Sequence, residues 1–493
     1  MSKRAAEVPA WVTLDPGSGV PFYRQLYEGV RDGILSGRLP ARTRLPSTRA
    51  VAAELGVSRT TVVTAFRQLL AEGYLEGKTG SGTFVARSLP DDLLGVRGAM
   101  RGEERAARSG RALSRRGEKM AATRTSMARD AGKPRAFRPG VPALGEFPFG
   151  EWRRLASGVW RGPSPELLGY GEPAGYGPLR REISAYLGPA RAVRLSPEQV
   201  IVVSGSQQAL DLCARVLLDP GDAAWVEDPG YRGARAALLG AGARLVPVPV
   251  DGEGLDVEAG VAREPAARLA CVTPSHQYPL GATMGLARRL ELLRWADRSG
   301  AWVLEDDYDS EYRYSGRPLE ALQGLDAAGR VVYVGTFSKV LFPSLRLGYL
   351  VVPPDLVDAF VAARELSDRQ PPGPDQAVLA RFMAEGHFAR HLRRTRALYA
   401  ERQAVLVEET NRQLSGRLDV PPAEAGMHLV GWLPEGEDDR TASRRAAKHG
   451  IEAPAVSLYG AQPSGRGGLL LGYAAVGGAG IRAGVRRLAR ALE

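Results

Sequence analysis

The 493-residue chain is poor in cysteine and in long apolar runs. Its two cysteines, Cys213 and Cys271, are too few for a disulfide framework or a cysteine-rich zinc site, so we expect both to be small core residues. The longest apolar runs, such as residues 200–203 and 301–304, are far shorter than the roughly 18 residues that span a bilayer. No signal-peptide pattern opens the chain. These absences predict a cytoplasmic protein with no membrane partner.

The excess of positive charge lies entirely in the first 135 residues. Residues 1–87 carry 12 Lys and Arg against 7 Asp and Glu, residues 88–135 carry 12 against 6, and the remainder carries 42 of each. A chain of this length is expected to form two or three folding units. The segregation favours a polyanion, most commonly nucleic acid, as the partner of the N-terminal part. A basic surface that is merely solvated does not explain it.

The N-terminal part of the chain has the pattern of three short helices followed by a hairpin. Apolar residues recur on one face of residues 22–35, and Ser47 and Ser58 are good N-caps for two further helices. Short strands at residues 74–76 and 83–85 flank a glycine-rich wing. The third helix is expected to bury one face, formed by Val62, Phe66, Leu69 and Leu70.

A helix-turn-helix reads DNA by placing the start of its second helix in the major groove. Residues 58–61 lie at that position. Arg49 on the preceding helix and Lys78 and Gly80 in the wing are placed to meet phosphates or the minor groove. We therefore predict double-stranded operator DNA as a partner. The predicted DNA-binding residues are Arg49, Ser58, Arg59, Thr60, Thr61, Lys78 and Gly80.

Three segments of this unit resemble the winged helix of GntR-type regulators. They are residues 45–49 (LPSTR), 55–62 (LGVSRTTV) and 72–85, which run from Glu-Gly-Tyr-Leu to Gly-Ser-Gly-Thr-Phe-Val. The resemblance covers nearly all of residues 15–87, the predicted DNA-binding domain. It implies DNA contacts by Arg49, Arg59, Thr61 and Gly80.

Two local patterns mimic other kinds of site. Residues 73–79 are similar to a phosphate-binding P-loop, but the spacing is one residue short and the segment leads into a strand. His387 and His391 have the spacing of a helical zinc protease, yet Phe388 stands where that motif needs a glutamate. We therefore predict no P-loop, no metal site and two ordinary surface histidines.

The rest of the chain divides by composition. Residues 88–135 are rich in Arg, Ala, Gly and Ser without apolar periodicity, which predicts a basic flexible linker. Residues 136–493 alternate apolar runs with helical stretches, which predicts an α/β fold with a mainly parallel sheet and ligands at the carboxyl ends of its strands. The predicted strands are residues 200–203, 223–226, 244–248, 270–273, 301–305, 331–335 and 347–352.

Lys339 closes the sequence Gly-Thr-Phe-Ser-Lys at residues 335–339, directly after one of these strands. A lysine at the carboxyl edge of a sheet can be neutral and partly desolvated, as formation of a Schiff base requires. Pyridoxal 5'-phosphate also needs a carboxylate for its ring nitrogen, a donor for its phenolic oxygen, an aromatic face and phosphate ligands. The cofactor is indicated only if neighbouring strand ends supply them.

Each requirement has a candidate at a strand end. Asp306 is placed to pair with the ring nitrogen, Tyr308 to bind the phenolic oxygen and Tyr231 to stack on the ring. Taken singly, Asp306 also fits a solvated acidic turn, Ser206 a helix cap and Tyr231 a core aromatic, but their order along the strand ends favours pyridoxal 5'-phosphate. The expected phosphate ligands are Ser206, Gln207, Thr336, Ser338 and Arg346.

These residues resemble fold type I aminotransferases from about residue 137 to the C-terminus. Residues 168–180 are similar to the segment whose tyrosine, here Tyr170, reaches the phosphate of the neighbouring subunit, so a homodimer is implied. A GntR-type head on this body resembles the MocR/GabR regulators, as do residues 275–279 (SHQYP) and 305–311 (EDDYDSE). The implied fold is a PLP-dependent transferase fold of type I, a mainly parallel sheet with a smaller C-terminal α+β part.

Two positions depart from working aminotransferases. Tyr278 stands where an asparagine usually binds the phenolic oxygen, and Leu470 stands where an arginine usually clamps the substrate carboxylate. Without that guanidinium an α-amino acid loses a charge-assisted anchor. The sequence leaves open whether another arginine replaces it. The candidates are Arg232, Arg235 and Arg466.

Together these features predict a PLP-dependent transcription regulator that senses the cofactor, an amine or an amino acid through an aldimine at Lys339. The aminotransferase-like body is then expected to sense an effector rather than to turn over a substrate. One alternative is an active aminotransferase with an accessory DNA-binding domain, and another is a DNA-binding protein with an inert body.

Overall fold

The computed structural model describes residues 12–78, 82–87, 113–123, 135–315, 319–461 and 465–493. The chain divides into two compact units, residues 1–112 and 113–493. Much of the predicted linker lies outside the described residues, but Arg115–Ala122 within it form a helix whose first turn is capped by the Ser114 hydroxyl. The predicted limits of the three domains stay predictions.

The smaller unit is a winged helix. Its helices are α1 (Phe22–Leu35), α2 (Thr48–Leu55) and α3 (Arg59–Ala71), and strand β1 (Leu75–Lys78) pairs antiparallel with β2 (Gly82–Val85). The expected N-caps are present, because the Ser47 hydroxyl accepts from the Ala50 amide and the Ser58 hydroxyl accepts from the Thr61 amide. Gly56 ends α2 with a φ of 66°, a left-handed conformation that glycine adopts without strain.

One apolar core holds these elements together. Leu26, Val30 and Ile34 of α1 pack with Val62 and Phe66 of α3, and all five are at most 3% exposed. The expectation that Leu70 belongs to this core is wrong, since its side chain is 37% exposed. Its place on the helix is at the border of the apolar face, and the neighbouring leucine, which is fully buried, takes the inner position.

The larger unit is built on a mixed sheet. Within the described residues it has eight strands in the order β3-β10-β9-β8-β7-β4-β5-β6. The central strands are parallel, whereas β10 is antiparallel to both of its neighbours and β6 is antiparallel to β5. The strands are β3 (Val200–Val203), β4 (Ala223–Asp228), β5 (Arg244–Asp251), β6 (Gly254–Leu255), β7 (Leu269–Val272), β8 (Trp302–Asp307), β9 (Val331–Thr336) and β10 (Gly348–Val351).

Helices cover both faces of this sheet and continue into the C-terminal part. They are α4 (Arg115–Ala122), α5 (Phe149–Arg161), α6 (Pro165–Leu168), α7 (Gly177–Arg191), α8 (Ser206–Leu217), α9 (Arg232–Ala241), α10 (Val257–Arg263), α11 (Leu286–Ser299), α12 (Leu322–Leu325), α13 (Val357–Asp368), α14 (Gly373–Ala384), α15 (His387–Leu414), α16 (Asp439–Lys448) and α17 (Gly478–Ala491). Short 3-10 helices lie at Leu144–Glu146, Pro197–Gln199, Pro343–Leu345, Pro354–Leu356 and Val456–Leu458. Among the described residues, no helix combines the length and the apolar character that crossing a bilayer would need.

The sheet positions the site because several strands end at the same edge. β4, β7, β8 and β9 run parallel, and β3 runs in the same direction because both it and β9 are antiparallel to β10. A smaller two-stranded antiparallel sheet of β11 (His428–Trp432) and β12 (Gly468–Gly472) packs with α16 and α17 in the C-terminal α+β part. The predicted fold class is confirmed, and the predicted strands are present with ends shifted by at most three residues.

Candidate functional site

The carboxyl ends of β3, β4, β7, β8 and β9 meet at a cavity of about 300 Å³. Nine of the ten predicted cofactor residues line it: Ser206, Gln207, Tyr231, Asp306, Tyr308, Thr336, Ser338, Lys339 and Arg346. The tenth, Tyr170, lies outside it with 86% of its surface exposed. Residues that are far apart in the sequence therefore converge on one space, as the common direction of the strands requires.

Lys339 follows β9 and points its amine into the cavity. Its Nζ donates a hydrogen bond to the Gly140 carbonyl oxygen, 2.9 Å away. Gly140 has a φ of 73°, a left-handed conformation that favours glycine, and a Cβ at this position would lie 2.8 Å from Nζ and displace the amine. Burial lowers the pKa of Lys339, and Asp309 and Asp306 partly oppose the shift. A lower pKa favours the neutral amine that attacks a carbonyl.

The acidic residues at the end of β8 are buried, which excludes the alternative that they form a solvent-exposed turn. Glu305 accepts from the backbone amides of residues 322 and 323, Asp307 pairs with the buried Arg191 at 2.9 Å, and Asp309 lies 3.0 Å from His276. Asp306 is the only one of these four carboxylates that lines the cavity. Its Oδ1 is buried and has no hydrogen-bond partner among the described residues.

The surroundings of Asp306 favour its protonated, uncharged form. Burial raises its pKa to about 7, with further contributions from Asp307 and Glu227 and an opposing one from Lys339. A buried carboxyl group without a partner is costly unless a cation or a donor meets it. A protonated ring nitrogen placed against Oδ1 would supply both.

The phosphate side of the cavity is formed by the start of α8. Gly205 is the N-cap with a φ of 87°, so Ser206 and Gln207 occupy the first turn, where amide groups and the helix dipole favour an anion. Arg346 Nη2 donates to the Ser204 carbonyl oxygen at 2.7 Å and passes close to Gly205, whose Cβ would lie 3.1 Å from it. Ser338 adds a buried hydroxyl whose oxygen has no partner among the described residues.

Aromatic side chains form another part of the wall. Tyr231 and Tyr278 meet edge to face with ring centroids 5.9 Å apart, and Tyr278 and Tyr308 meet in the same way at 5.8 Å. The Tyr278 hydroxyl donates to the Tyr459 hydroxyl at 3.2 Å. The Tyr308 hydroxyl lies 2.9 Å from His276 Nδ1. Tyr231 thus offers a ring, and Tyr308 a hydroxyl, to a planar ligand.

These observations fit pyridoxal 5'-phosphate. Among the buried side-chain atoms without partners in the described residues, two belong to the lining of the cavity, Asp306 Oδ1 and Ser338 Oγ, and the cofactor has a ring nitrogen and a phosphate to offer them. Lys339 would hold the aldehyde carbon, Tyr308 the phenolic oxygen, and the turn at Ser206 the phosphate. The individual roles of these residues stay predictions.

Some lining residues carry no signal in the sequence. Gly140, Thr273, Met427 and His428 all face the cavity. His428 lies on β11 in the C-terminal part, and only the tertiary fold brings it to the strand ends. Burial, with smaller contributions from His276 and Lys339, lowers its pKa to about 3, so this imidazole is neutral.

Among the described residues that line the cavity, no additional arginine replaces the one that usually binds the substrate carboxylate. Leu470 is fully buried among Val430, Val456 and Tyr459, and the charged side chains of the wall, besides Asp306, are Lys339 and Arg346. The candidate replacements lie elsewhere: Arg235 donates to Asp228, Arg466 donates to the Leu433 carbonyl oxygen, and Arg232 does not line the cavity.

The description of His391 as a surface residue is wrong. It is 5% exposed, and its Nε2 lies 3.0 Å from the Val340 carbonyl oxygen. Burial lowers its pKa to about 4. His387 is partly buried, 3.2 Å from Glu385. Neither histidine belongs to the group of potential metal ligands in the described residues, which is His276, Asp309 and His428.

The predicted DNA-reading face is exposed at the start of α3. Arg49, Ser58, Arg59 and Thr60 are exposed, and Thr61 is half-buried. The Ser58 hydroxyl lies 2.8 Å from the Thr61 hydroxyl, so both side chains also stabilise the start of the helix. Gly80 lies outside the described residues, and of Lys78 the structure describes only the backbone, in β1.

Two family models match the chain, one for each unit. The model described as bacterial regulatory proteins, gntR family, matches residues 22–85, and the model described as aminotransferase class I and II matches residues 145–468. The second family is one whose members depend on pyridoxal 5'-phosphate.

Relatives match over the whole length. The probable rhizopine catabolism regulatory protein MocR of Rhizobium meliloti is 46% identical, over 97% of this chain and 95% of its own. The pyridoxine biosynthesis transcriptional regulator PdxR of Corynebacterium glutamicum is 31% identical, over 95% of both chains. Among solved structures, the α-aminoadipate aminotransferase LysN of Thermus thermophilus, complexed with N-(5'-phosphopyridoxyl)-L-leucine, has a TM-score of 0.67 and 31% identity, over 78% of this chain and 95% of that chain. The chain therefore belongs to the MocR-type, GntR-family transcription regulators, in which a DNA-binding winged helix is joined to an aminotransferase-like domain.

Proposed function

We propose that this regulator binds pyridoxal 5'-phosphate at Lys339 and uses that site to sense the cofactor or an amine that reacts with it. The observation that carries the proposal is the buried Asp306 Oδ1, which lies without a partner among the described residues in a cavity that also holds a lysine amine. Pyridoxal 5'-phosphate, when bound, supplies an aldehyde that condenses reversibly with a primary amine, with loss of water.

The residues of the cavity have separate tasks. Lys339 supplies the amine, Asp306 holds a proton on the ring nitrogen, and Tyr308 donates to the phenolic oxygen. The start of α8 at Ser206, together with Arg346, binds the phosphate. Tyr231 covers the ring and excludes water.

The charged residues that line the cavity indicate the chemical class of the effector. Lys339 and Arg346 are the cationic side chains among the described residues that line the cavity. Because the cofactor engages both, no guanidinium of this lining is left to bind the carboxylate of an α-amino acid. This favours the cofactor itself, or an amine without a neighbouring carboxylate. The relatives support both choices, since one is named for rhizopine catabolism and another for pyridoxine biosynthesis.

Regulation requires that the ligand bind two states of the protein differently. We propose a cytoplasmic homodimer that binds an operator with two half-sites, one for each winged helix. Tyr170 supports the dimer, because a side chain that is 86% exposed in one chain is accessible to the phosphate site of a second chain.

The cofactor proposal is tested by absorption spectroscopy. Pyridoxal 5'-phosphate added to the purified protein should give a visible absorption band, and borohydride should fix the cofactor on Lys339, as seen by mass spectrometry of peptides. Lys339→Ala should show neither, whereas His449→Ala, a change of a histidine outside the cavity, should show both. A wild-type protein without the band would contradict the proposal and favour the inert body.

The second candidate is an active aminotransferase, favoured by the structural match to LysN over 78% of the chain. Incubation of the loaded protein with an amino donor and a keto acid separates the two. Steady formation of a new amino acid at rates that Lys339→Ala abolishes would support the enzyme. A single spectral change without turnover is the result that we expect, since Leu470 replaces the usual clamp.

The DNA proposal is tested with a duplex selected from a random library. Arg59→Ala should weaken binding by about 1–3 kcal/mol if its guanidinium reads a base. Arg24→Ala on α1 is the matched control, because it removes the same charge from an exposed position paired with Glu28. Equal losses for the two variants would contradict a specific role for Arg59.

A further inference from the structure

A second cavity, of about 350 Å³, lies in the larger unit and shares no lining residue with the cofactor cavity. It is formed by the end of α7, the loop that follows β8, and α15. Cavities of this size hold small organic molecules. The proposed function gives this space no task. We call it the arginine cavity, because its lining includes Arg191, Arg313 and Arg396.

The guanidinium group of Arg191 is fully occupied by contacts within the protein. Its Nε pairs with the buried Asp307 at 2.9 Å, which balances its charge. Its Nη1 donates to the Leu319 carbonyl oxygen at 2.5 Å, and its Nη2 donates to the Ser275 hydroxyl at 2.6 Å. Arg191 is therefore a fixed part of the lining and offers no nitrogen to a ligand.

The guanidinium group of Arg313 is only partly occupied. Its Nη2 pairs with Glu424, whose side chain is 64% exposed, so water screens this pair. Its Nε and Nη1 are buried and have no hydrogen-bond partner among the described residues. A buried donor without an acceptor is unfavourable, because it has lost its hydrogen bonds to water. Arg313 thus has two donors that the oxygen atoms of a ligand would satisfy.

Arg396 brings a second such guanidinium group to the cavity. Its Nε donates to the Glu311 carbonyl oxygen at 2.8 Å, and its two Nη atoms have no partner in the described part of the chain. The lining also holds one carboxylate, that of Glu311, whose Oε1 accepts from the Tyr186 hydroxyl at 3.2 Å. Among the described residues, no ion pair joins this carboxylate to an arginine of the cavity. The lining therefore has an excess of positive charge.

We infer that the arginine cavity is a second ligand site, which binds a small organic acid or phosphate ester through an oxyanion group held by Arg313 and Arg396. The planar fork of a guanidinium group donates two parallel N–H groups to a carboxylate or a phosphate. The bound oxyanion supplies acceptors for the buried nitrogens and compensates the excess charge. This inference goes beyond the proposed function, because the site does not require pyridoxal 5'-phosphate.

One segment of the chain connects the two cavities. Asp306 and Tyr308 line the cofactor cavity, and Ser310 and Arg313, a few residues further on, line the arginine cavity. A ligand in either cavity therefore contacts the same short segment.

Calorimetric titration of the full-length, cofactor-free protein at low ionic strength tests this inference. The probes are succinate, inorganic phosphate and the neutral succinamide. We expect both anions to bind and succinamide not to bind, because only an oxyanion compensates the guanidinium groups. Tighter binding of succinate would assign the site to a carboxylate, and tighter binding of phosphate to a phosphate ester. A protein that binds neither anion would overturn the inference.

Substitutions locate the bound anion. Arg313→Lys and Arg396→Gln should each weaken binding at least about tenfold, since each removes hydrogen bonds to a charged group. Arg393→Gln is the matched control, because it removes the same charge from an exposed position of α15 outside the cavity. Equal losses in Arg393→Gln and Arg396→Gln would overturn the inference. A loss in Arg346→Gln alone would also overturn it, because the anion would then lie in the cofactor cavity.

A measurement on the wild type does not depend on how the variants fold. Phenylglyoxal modifies accessible arginines, and mass spectrometry of peptides gives the rate of modification at each one. Saturating succinate or phosphate should slow the modification of Arg396 and leave that of Arg393 unchanged. Equal protection of both arginines, or protection of neither, would overturn the inference.

Discussion

At the scale of single residues, Asp306 combines a pKa raised by burial with a place in the lining of the cavity. Its pKa is raised to about 7, so the folded protein holds this proton more tightly than the unfolded chain, in which the value is 3.8. The stability that it contributes is complete below pH 4 and is lost as the pH rises through 7. Cofactor-free Asp306→Asn, which stays neutral, should therefore unfold at higher urea concentration than the wild type at pH 8 and at a similar concentration at pH 4.

One unit of pKa corresponds to about 1.4 kcal/mol, so a gain of at least that size is expected at pH 8. The exposed Asp297→Asn on α11 is the control and should show no such dependence on pH. With pyridoxal 5'-phosphate bound, the wild type should be more stable than Asp306→Asn, because only the carboxylate pairs with the ring nitrogen of the cofactor. A gain that is the same at both pH values would mean that Asp306 is already ionised at pH 4.

The same residues show what the sequence can and cannot predict. Lys339 and Tyr231 follow strands and Asp306 lies at the end of one, so their convergence on one edge follows from the strand pattern alone. Gly140, Met427 and His428, which line the cavity outside the motifs, reach the site through loops and through β11. Their positions depend on how the C-terminal part packs against the sheet, and no local periodicity encodes that packing.

At the scale of elements, two serine caps define the starts of the helices in the helix-turn-helix. Comparing them distinguishes an effect on stability from an effect on DNA binding. Ser47 and Ser58 cap α2 and α3 with the same type of hydrogen bond, but only Ser58 lies in the predicted DNA-reading segment. Ser47→Ala and Ser58→Ala should each lower the free energy of unfolding of the winged helix by about 1 kcal/mol. Only Ser58→Ala should also weaken binding to the selected duplex, measured well below the unfolding temperature. Equal loss of DNA affinity in both would show that Ser58 acts through the helix alone.

The helices and strands were predicted best where a cap or a long apolar run defines them. The bounds of α1 agree with the predicted segment, and α2 and α3 start directly after their capping serines. The errors occur where tertiary contacts decide the outcome. Leu70 and His391 both lie at the border of an apolar helix face, and a spacing pattern does not tell which side of that border faces the core.

At the scale of the whole molecule, the two units have separate apolar cores, and we propose a separate ligand for each. The winged helix buries its own cluster around Leu26 and Phe66, and the larger unit buries others on both sides of its sheet. A protein built in this way is expected to unfold in two calorimetric transitions rather than one. A ligand that binds only one native unit raises only the transition of that unit.

We therefore expect pyridoxal 5'-phosphate to raise one transition and the selected duplex to raise the other. At a ligand concentration of about 100 times Kd, each should gain about 2.7 kcal/mol. Lys339→Ala should lose the first shift and keep the second, and Arg59→Ala should do the opposite. If the cofactor also shifts the transition of the winged helix, the two sites are coupled, and the size of that shift measures the free energy available for regulation. A single transition that both ligands raise equally would contradict the independence of the two cores.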